Sequence, residues 1–333
     1  MNAIIPALIA IIASFFVGML IAPTFLKLAK KTKSVQEILS YVEQHKDKNN
    51  TPTMGGTVFL FSAIIVSLVM GGYKSALCTV IILIFFAYGV IGFLDDFIKV
   101  KFKRNMGLRA YQKIISQLAV AIIAAFYCAK SPYIGTEINI PISGKTLQMG
   151  AWYIPFAAFV FIAMSNAVNL TDGLDGLAGS TTAAYMATFT IIIAITMFEA
   201  MDNGNTLLAG ELQKLTVFCG ALVGGLLSFL WFNSYKAKFI MGDTGALALG
   251  GAVGAIALFS KNPLISVLVG IMYVVSCVSV IIQVAFFKLK GRRVFLMSPF
   301  HHHLELKGYN ETKIAAFYGI ITAIAGVVSL III

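Results

Sequence analysis

Apolar stretches of about 20 residues follow one another along the whole chain, separated by short polar connections. Each is long enough to cross roughly 30 Å of hydrocarbon as an α-helix that satisfies its own backbone hydrogen bonds. The pattern places spans at 4–26, 57–71, 76–94, 112–129, 151–169, 177–198, 214–230, 245–259, 263–288 and 313–332. No polar stretch is left over for a separate soluble unit. The expectation is an all-α integral membrane protein of about ten transmembrane helices, a single polytopic domain over 1–333.

Two connections break the rhythm. Between Lys130 and Gly150 Ile alternates with polar residues around Pro141 and Ser143-Gly144, which predicts a small β-hairpin on the outer, periplasmic surface. Pro263 opens a span long enough to tilt or break before the basic cluster at Lys288 to Arg293. Met1 to Leu20 carries no basic n-region and no small-residue cleavage site, and so reads as a retained first span.

Composition agrees with the pattern: 59% of the 333 residues are hydrophobic, 12% are charged, and the mean hydropathy is +0.89. Cys78, Cys128, Cys219 and Cys277 lie far apart inside apolar runs and read as small buried hydrophobes. The net charge of +11 is unevenly spread. Connections after the first, third, fifth, seventh and ninth spans carry six, six, none, two and six Lys or Arg, which is 20 of the 25. Cytoplasmic loops retain basic residues during insertion, so these connections face the cytoplasm and both termini face outward. The charges form no continuous basic domain, which argues against nucleic acid as a partner and leaves anionic membrane lipid and phosphate.

The carboxylates change the picture most. Asp95, Asp96, Asp172, Asp175 and Asp243 stand at the inner ends of spans, where an acid stays hydrated or meets a cation. A secondary transporter carries its coupling residues near the bilayer midplane, often in repeated halves. Polar residues gathered on one membrane face suit an enzyme instead, although a transporter or lipid flippase stays open as the alternative class.

Asn169, Asp172 and Asp175 recur every third residue, with Gly173 and Gly176 between them, so one helical stripe and an open backbone meet there. Helix capping by one of the two acids is the plain alternative. Adjacent Asp95 and Asp96 repel unless a cation or proton joins them; otherwise they begin a hydrated loop. Asp243 in Met241-Gly242-Asp243 sits at the mouth of the eighth span, as a ligand-binding acid or as a cap. His301, His302 and His303 are internal, and three neighbouring imidazoles cannot all reach one metal from a regular helix. Phosphate contact or proton exchange suits them better than zinc. Carboxylates beside Lys, Arg and His make sense around phosphate only if a divalent cation joins the anions, and Mg²⁺ does so with one or two carboxylates plus phosphate oxygens. Phosphoryl transfer fits this set.

Taken in order, Thr51-Pro52-Thr53-Met54-Gly55-Gly56, Gly92-Phe93-Leu94-Asp95-Asp96, Asn166 to Ala178, Met241-Gly242-Asp243 and Pro299-Phe300-His301-His302-His303 resemble the motifs of the phospho-N-acetylmuramoyl-pentapeptide transferases, or translocases I. These belong to the polyprenyl-phosphate hexosamine-1-phosphate transferases. The resemblance implies that UDP-MurNAc-pentapeptide and undecaprenyl phosphate give lipid I and UMP, with Mg²⁺, at the cytoplasmic face of the bacterial inner membrane, in a homodimer. UDP-GlcNAc or another UDP-hexosamine stays open as donor. Carried over by motif position, Asp243 is the metal ligand, and Asp95 and Asp96 serve the acceptor phosphate and the metal environment. Asn169, Asp172, Asp175, Gly176 and Leu177 line the nucleotide and diphosphate, Lys113 and Asn233 flank them, and His301 to His303 face sugar and phosphate. Lys48 and Thr53 belong to the same cleft. The sequence departs from the family where an aromatic usually precedes Met-Gly-Asp: here stands Ile240, with Phe239 one position earlier.

Overall fold

The structure, a computed structural model, describes residues 3–31, 51–102 and 107–333. Lys48 lies outside the described residues, as do the basic residues Lys33, Lys46, Lys103 and Arg104 of the loop tally.

Helices form where the apolar runs place them: α1 (Ile5–Lys31), α2 (Thr57–Val69), α3 (Ala76–Phe102), α4 (Ala110–Lys130), α5 (Tyr153–Thr171), α6 (Leu177–Asp202), α7 (Thr206–Asn233), α8 (Gly242–Phe259), α9 (Pro263–Val269), α10 (Ile271–Lys290), α11 (Phe300–Leu306) and α12 (Glu311–Ile332). Among the described residues nine are long and apolar enough to cross a bilayer, making this a multi-pass membrane protein. The tenth expected span, α2, has 13 residues, about 20 Å of helix, and is too short alone. Its missing length is supplied by the buried stretch Pro52 to Gly56, which enters the bundle without helical structure. Its backbone is satisfied by protein, as non-helical chain at such depth must be: Gly55 and Gly56 N–H donate to the Ile240 and Met241 carbonyls at 2.9 and 3.0 Å, and Ile240 N–H donates to the Pro52 carbonyl at 2.9 Å.

The ninth expected span breaks into α9 and α10 at Gly270, about two turns into the run that Pro263 opens. Hydroxyl pairs hold the broken helix to its neighbours. Tyr185 of α6 meets Ser266 of α9 at 2.7 Å, Thr182 meets Tyr273 of α10 at 2.8 Å, and Ser276 meets Tyr318 of α12 at 3.3 Å. Such interhelical bonds contribute about 0.6 kcal/mol each in a bilayer.

The bundle is built around α8 and α7. The most apolar window of α8 is 94% buried and that of α7 83%, against 28% for α1, α4 and α10, which form the outer wall. Small residues let α8 sit at the centre, its sequence being largely Gly, Ala and Leu.

The hairpin forms as β1 (Glu137–Ile140) and β2 (Lys145–Gln148), paired antiparallel with Glu137 opposite Gln148. It is clamped to the α8–α9 turn, because Asn139 donates its N–H to the Lys261 carbonyl at 2.8 Å and its amide to Asn262 at 3.1 Å. The first and last described residues lie at this hairpin end of the bundle. Ala3 accepts a bond from Gln213 at the start of α7, and Ile332 accepts one from Ile142. The candidate chemistry gathers at the opposite end.

Candidate active site

The expected span ending at Leu94 is a correction. The helix α3 continues to Phe102, so Asp95 and Asp96 are helical residues 3% and 1% exposed, and they begin no hydrated loop. Their desolvation is offset by partners that the extra turn itself brings. Lys99, four residues after Asp95 on the same face, places its Nζ 2.6 Å from Asp95 Oδ2, 3.7 Å from Asp96 Oδ1 and 2.8 Å from Asp243 Oδ2. Asp95 also accepts the Leu108 N–H at 2.8 Å, which ties the approach to α4 onto α3.

Asp96 has a different job. It crosses to α8 and accepts the N–H groups of Asp243 (3.2 Å) and Thr244 (2.9 Å) and the Thr244 hydroxyl (2.7 Å). These are orphan donors of a helix N-terminus, satisfied here by a carboxylate from another helix. Asp243 is therefore not the cap of its helix. It lies in the first turn with its side chain turned outward, where Asn169 of α5 donates to Oδ1 at 2.7 Å and Lys113 of α4 reaches Oδ2 at 3.0 Å. Four helices converge on one carboxylate.

Glycine makes the convergence possible. A Cβ at Gly92 would fall on the Asp243 carbonyl, so α3 and α8 touch backbone to backbone there. Gly242, with φ +74°, turns the chain from the Phe239–Met241 segment into α8 in a conformation that L residues rarely adopt. A side chain at Gly242 would also meet Asp96 Oδ2 and the hydroxyl of buried Thr53.

The turn between α5 and α6 carries Asp172 and Asp175, and neither caps α6, whose cap is Gly176 without a side-chain bond. Burial first, and then the charges of Asp243, Asp96 and Asp175, hold the Asp172 carboxyl well above the usual carboxylate range. Asp175 accepts the Ala237 N–H at 3.1 Å and its own N–H donates to Glu311 at 3.3 Å. Asn233 accepts the Gly176 N–H at 2.9 Å and donates to the Phe239 carbonyl at 2.9 Å, so it braces the two loops that carry Asp175 and Asp243. Leu177 packs with Leu174, Met272, Ile314 and Tyr318 beneath that turn.

The three histidines divide their labour on α11. His301 is fully buried, close against Gly173, where a Cβ would strike its ring, and beside Tyr318. His302 Nδ1 stands 3.0 Å from Glu305. His303 turns back on its own loop: Nδ1 accepts the Leu296 N–H at 3.2 Å between Phe295 and Phe300. Desolvation and Lys307 lower its pKa. Phe239 is 0% exposed and packed among Phe25, Phe229 and Phe232, so it is a core residue and offers no stacking face.

Lys99 went unread in the sequence because it fell in a tally of basic loop residues. The signal was present, since Asp95 and Lys99 are four apart and Asp96 and Lys99 three apart on a helix that only needed another turn. Thr244 carried no such signal, because its role depends on which helix α8 packs against.

The acids Asp95, Asp96 and Asp243 each offer a ligand oxygen within 4.8 Å of the others. With Lys99 and Lys113 the formal sum is −1, and Asp172 and Asp175 stand close by. An all-oxygen set with negative charge to spare suits a hard divalent cation. Deep polar and charged groups at one end of a membrane-spanning bundle suit a membrane-bound enzyme, and the comparisons make it a transferase. The model described as Glycosyl transferase family 4 matches residues 77–261, the stretch from Asp95 to Asp243, and phospho-N-acetylmuramoyl-pentapeptide-transferase signature 1 matches residues 48–60.

Relatives bearing the name phospho-N-acetylmuramoyl-pentapeptide-transferase cover nearly the whole chain. That of Clostridium novyi is 45% identical over 95% of this chain and 93% of its own length. Those of Oleidesulfovibrio alaskensis and Desulfitobacterium hafniense are 40% and 39% identical over 96% and 98% of this chain and 90% and 96% of theirs. The chain belongs to the phospho-N-acetylmuramoyl-pentapeptide-transferase family.

Proposed function

We propose that this chain, acting as one membrane domain, transfers phospho-MurNAc-pentapeptide from UDP-MurNAc-pentapeptide to undecaprenyl phosphate and releases UMP, a step of peptidoglycan synthesis. An oxygen of the lipid phosphate forms a bond to the sugar-bearing phosphorus of the donor, and the bond from that phosphorus to UMP breaks, giving lipid I. The observation that carries the reading is the convergence of Lys99, Lys113 and Asn169, from three helices, on the Asp243 carboxylate.

Mg²⁺ fits the donor set, with Asp243 as its protein ligand and Asp95 beside it, and when bound it supplies charge neutralisation to the phosphates. Asp96 is fully engaged by the first turn of α8 and serves by holding Asp243. Asp95, kept in place by Lys99 and the Leu108 N–H, faces the acceptor phosphate. Lys113 and Lys99 counter negative charge on the diphosphate. Asp172, Asp175, Gly176, Leu177 and Asn233 shape the donor side, Thr53 lies buried against Gly242 behind it, and Lys48 is assigned to the same cleft from the sequence alone. His302 meets the sugar and phosphate, His301 is packed behind it against Gly173 and Tyr318, and His303 orders the loop. The basic connections support a cytoplasmic position for this end of the bundle. The homodimer belongs to the same proposal and is tested by the mass of the solubilised protein.

Purified protein with Mg²⁺, undecaprenyl phosphate and each UDP-sugar in turn, with UMP measured, tests the reading. UMP is expected with UDP-MurNAc-pentapeptide and on adding divalent ion. Release from UDP-GlcNAc with an inert pentapeptide donor overturns the assigned substrate.

A further inference from the structure

At the hairpin end, farthest from the acids, a cavity of about 520 Å³ opens between α6, α7, α9, the end of α12 and the hairpin. That volume lies within the roughly 300–1,000 Å³ of small-molecule sites. Its depth is apolar, lined by Ile193, Leu212, Phe259 and Ile265, and its mouth carries Lys145, Lys261 and Glu199. Ile195, 37% exposed, leaves the wall open sideways toward the surrounding lipid. Glu199 to Ile193 is six residues of α6, about 9 Å along the helix axis. Polarity therefore falls from charged to hydrocarbon over the distance that separates a phospholipid headgroup from its first acyl carbons.

The charges at the mouth have both signs. Glu137, not itself in the lining, stands 3.9 Å from Lys261 and offsets its charge, which leaves Lys145 and Glu199 as opposed charges at the mouth. A neutral mixed rim complements a zwitterion better than a pure anion, which two acids repel. The lysines match a phosphate and Glu199 an ammonium. The position of the lysines is built in. Lys261 is held at φ +57° in the α8–α9 turn and its carbonyl accepts Asn139 N–H from the hairpin, while Lys145 opens β2.

We propose that this cavity holds one membrane phospholipid with an amine-bearing zwitterionic headgroup, phosphate toward Lys145 and Lys261, ammonium toward Glu199, and an acyl chain against Ile193 and Ile265. The site is independent of the transferase reading, since it shares no residue with it.

The full chain is purified into detergent, exposed to equal amounts of phosphatidylethanolamine and phosphatidylglycerol, and the retained lipid is counted by native mass spectrometry. At least threefold preference for phosphatidylethanolamine is expected. The double variant Lys145→Ala/Lys261→Ala should lose at least threefold of the retained lipid, and Glu199→Gln should abolish the preference. Both should keep UMP release within twofold, which reports an intact fold. Equal retention of the two lipids by the parent overturns the proposal, as does unchanged retention in the double variant. A phosphatidylethanolamine with a photoreactive tail covers the case in which a variant fails to fold. Its label should fall on the α6 peptide containing Ile193 to Glu199. Label elsewhere, or a second copy of the chain crosslinked at that surface, overturns it.

Discussion

At the hairpin end, the Glu211 carboxylate of α7 accepts the Leu77 and Ala76 N–H groups of α3 at 2.8 and 3.2 Å and the Ser75 hydroxyl at 2.6 Å. At the other end, the Asp96 carboxylate of α3 accepts two N–H groups of α8 and the Thr244 hydroxyl in the same manner. Both are cross-helix caps that satisfy orphan donors of a helix N-terminus. They differ in what surrounds them. Near Glu211 on the same helix, Lys214 is spent on the Met70 carbonyl, and the arrangement closes on itself. Around Asp96 stand two further carboxylates and two lysines, with Asn169 aimed at the same place. A cap holds a helix; charge beyond the cap is what a phosphate and a metal can use.

The sharpest break of this comparison removes the surplus and leaves the cap. Asp243→Ala keeps the backbone N–H that Asp96 accepts, yet it should lower UMP release on the order of 10³-fold, the scale of losing a main electrostatic group. Size-exclusion and thermal unfolding must show a folded protein for the rate to count. Turnover like the parent would remove Asp243 from the metal site. Next in size is Lys99→Met, which matches the stem and deletes the charge that three acids share. A fall of about 10²-fold is expected. A shift in the Mg²⁺ needed for half-maximal rate should accompany it, because the acids lose their internal counter-ion. A smaller loss than from Lys113→Met would mean that Lys99 is only structural.

The comparison also explains which parts could be read from the residues. Asp95, Asp96 and Asp243 stood out because an acid beside an apolar run costs free energy that needs a reason, and the glycines around Asp243 announced close approach. The spans were legible for the same solvent reason. What stayed hidden depended on partners distant in sequence. The Pro52–Gly56 stretch replaces the inner turns of α2 only because the Ile240 and Met241 backbone is there to pair with it. The histidine run looked like one unit, yet helical spacing sends His301 to Gly173 and His303 back to Leu296. Phe239, one position before the place where the family usually has an aromatic, is core.

Thr244→Val sharpens the comparison by weakening the cap itself at the site end. It deletes the hydroxyl that Asp96 accepts and keeps size and branching. Losing a buried hydrogen bond to a charged group costs about 1.5 kcal/mol, roughly tenfold in rate if it acts on positioning. The expected signature is a lower kcat and a raised Mg²⁺ requirement with donor KM held, and Thr244→Ser should restore both. Loss of thermal stability with unchanged Mg²⁺ dependence would make this cap no different from its counterpart.

That counterpart supplies the smallest effect. Glu211→Gln keeps an acceptor oxygen but loses the charge facing the α3 N-terminus, which should cost about 1 kcal/mol in stability, the scale of one helix cap. Thermal unfolding should fall by a few degrees. UMP release per folded molecule should stay within about twofold, because Glu211 touches none of the groups around Asp243 and is linked to them only through the lengths of α3 and α7. A tenfold loss of turnover would mean that α3 transmits its N-terminal anchoring to Asp95 and Asp96 along about five turns of helix, and the two ends would then be one device.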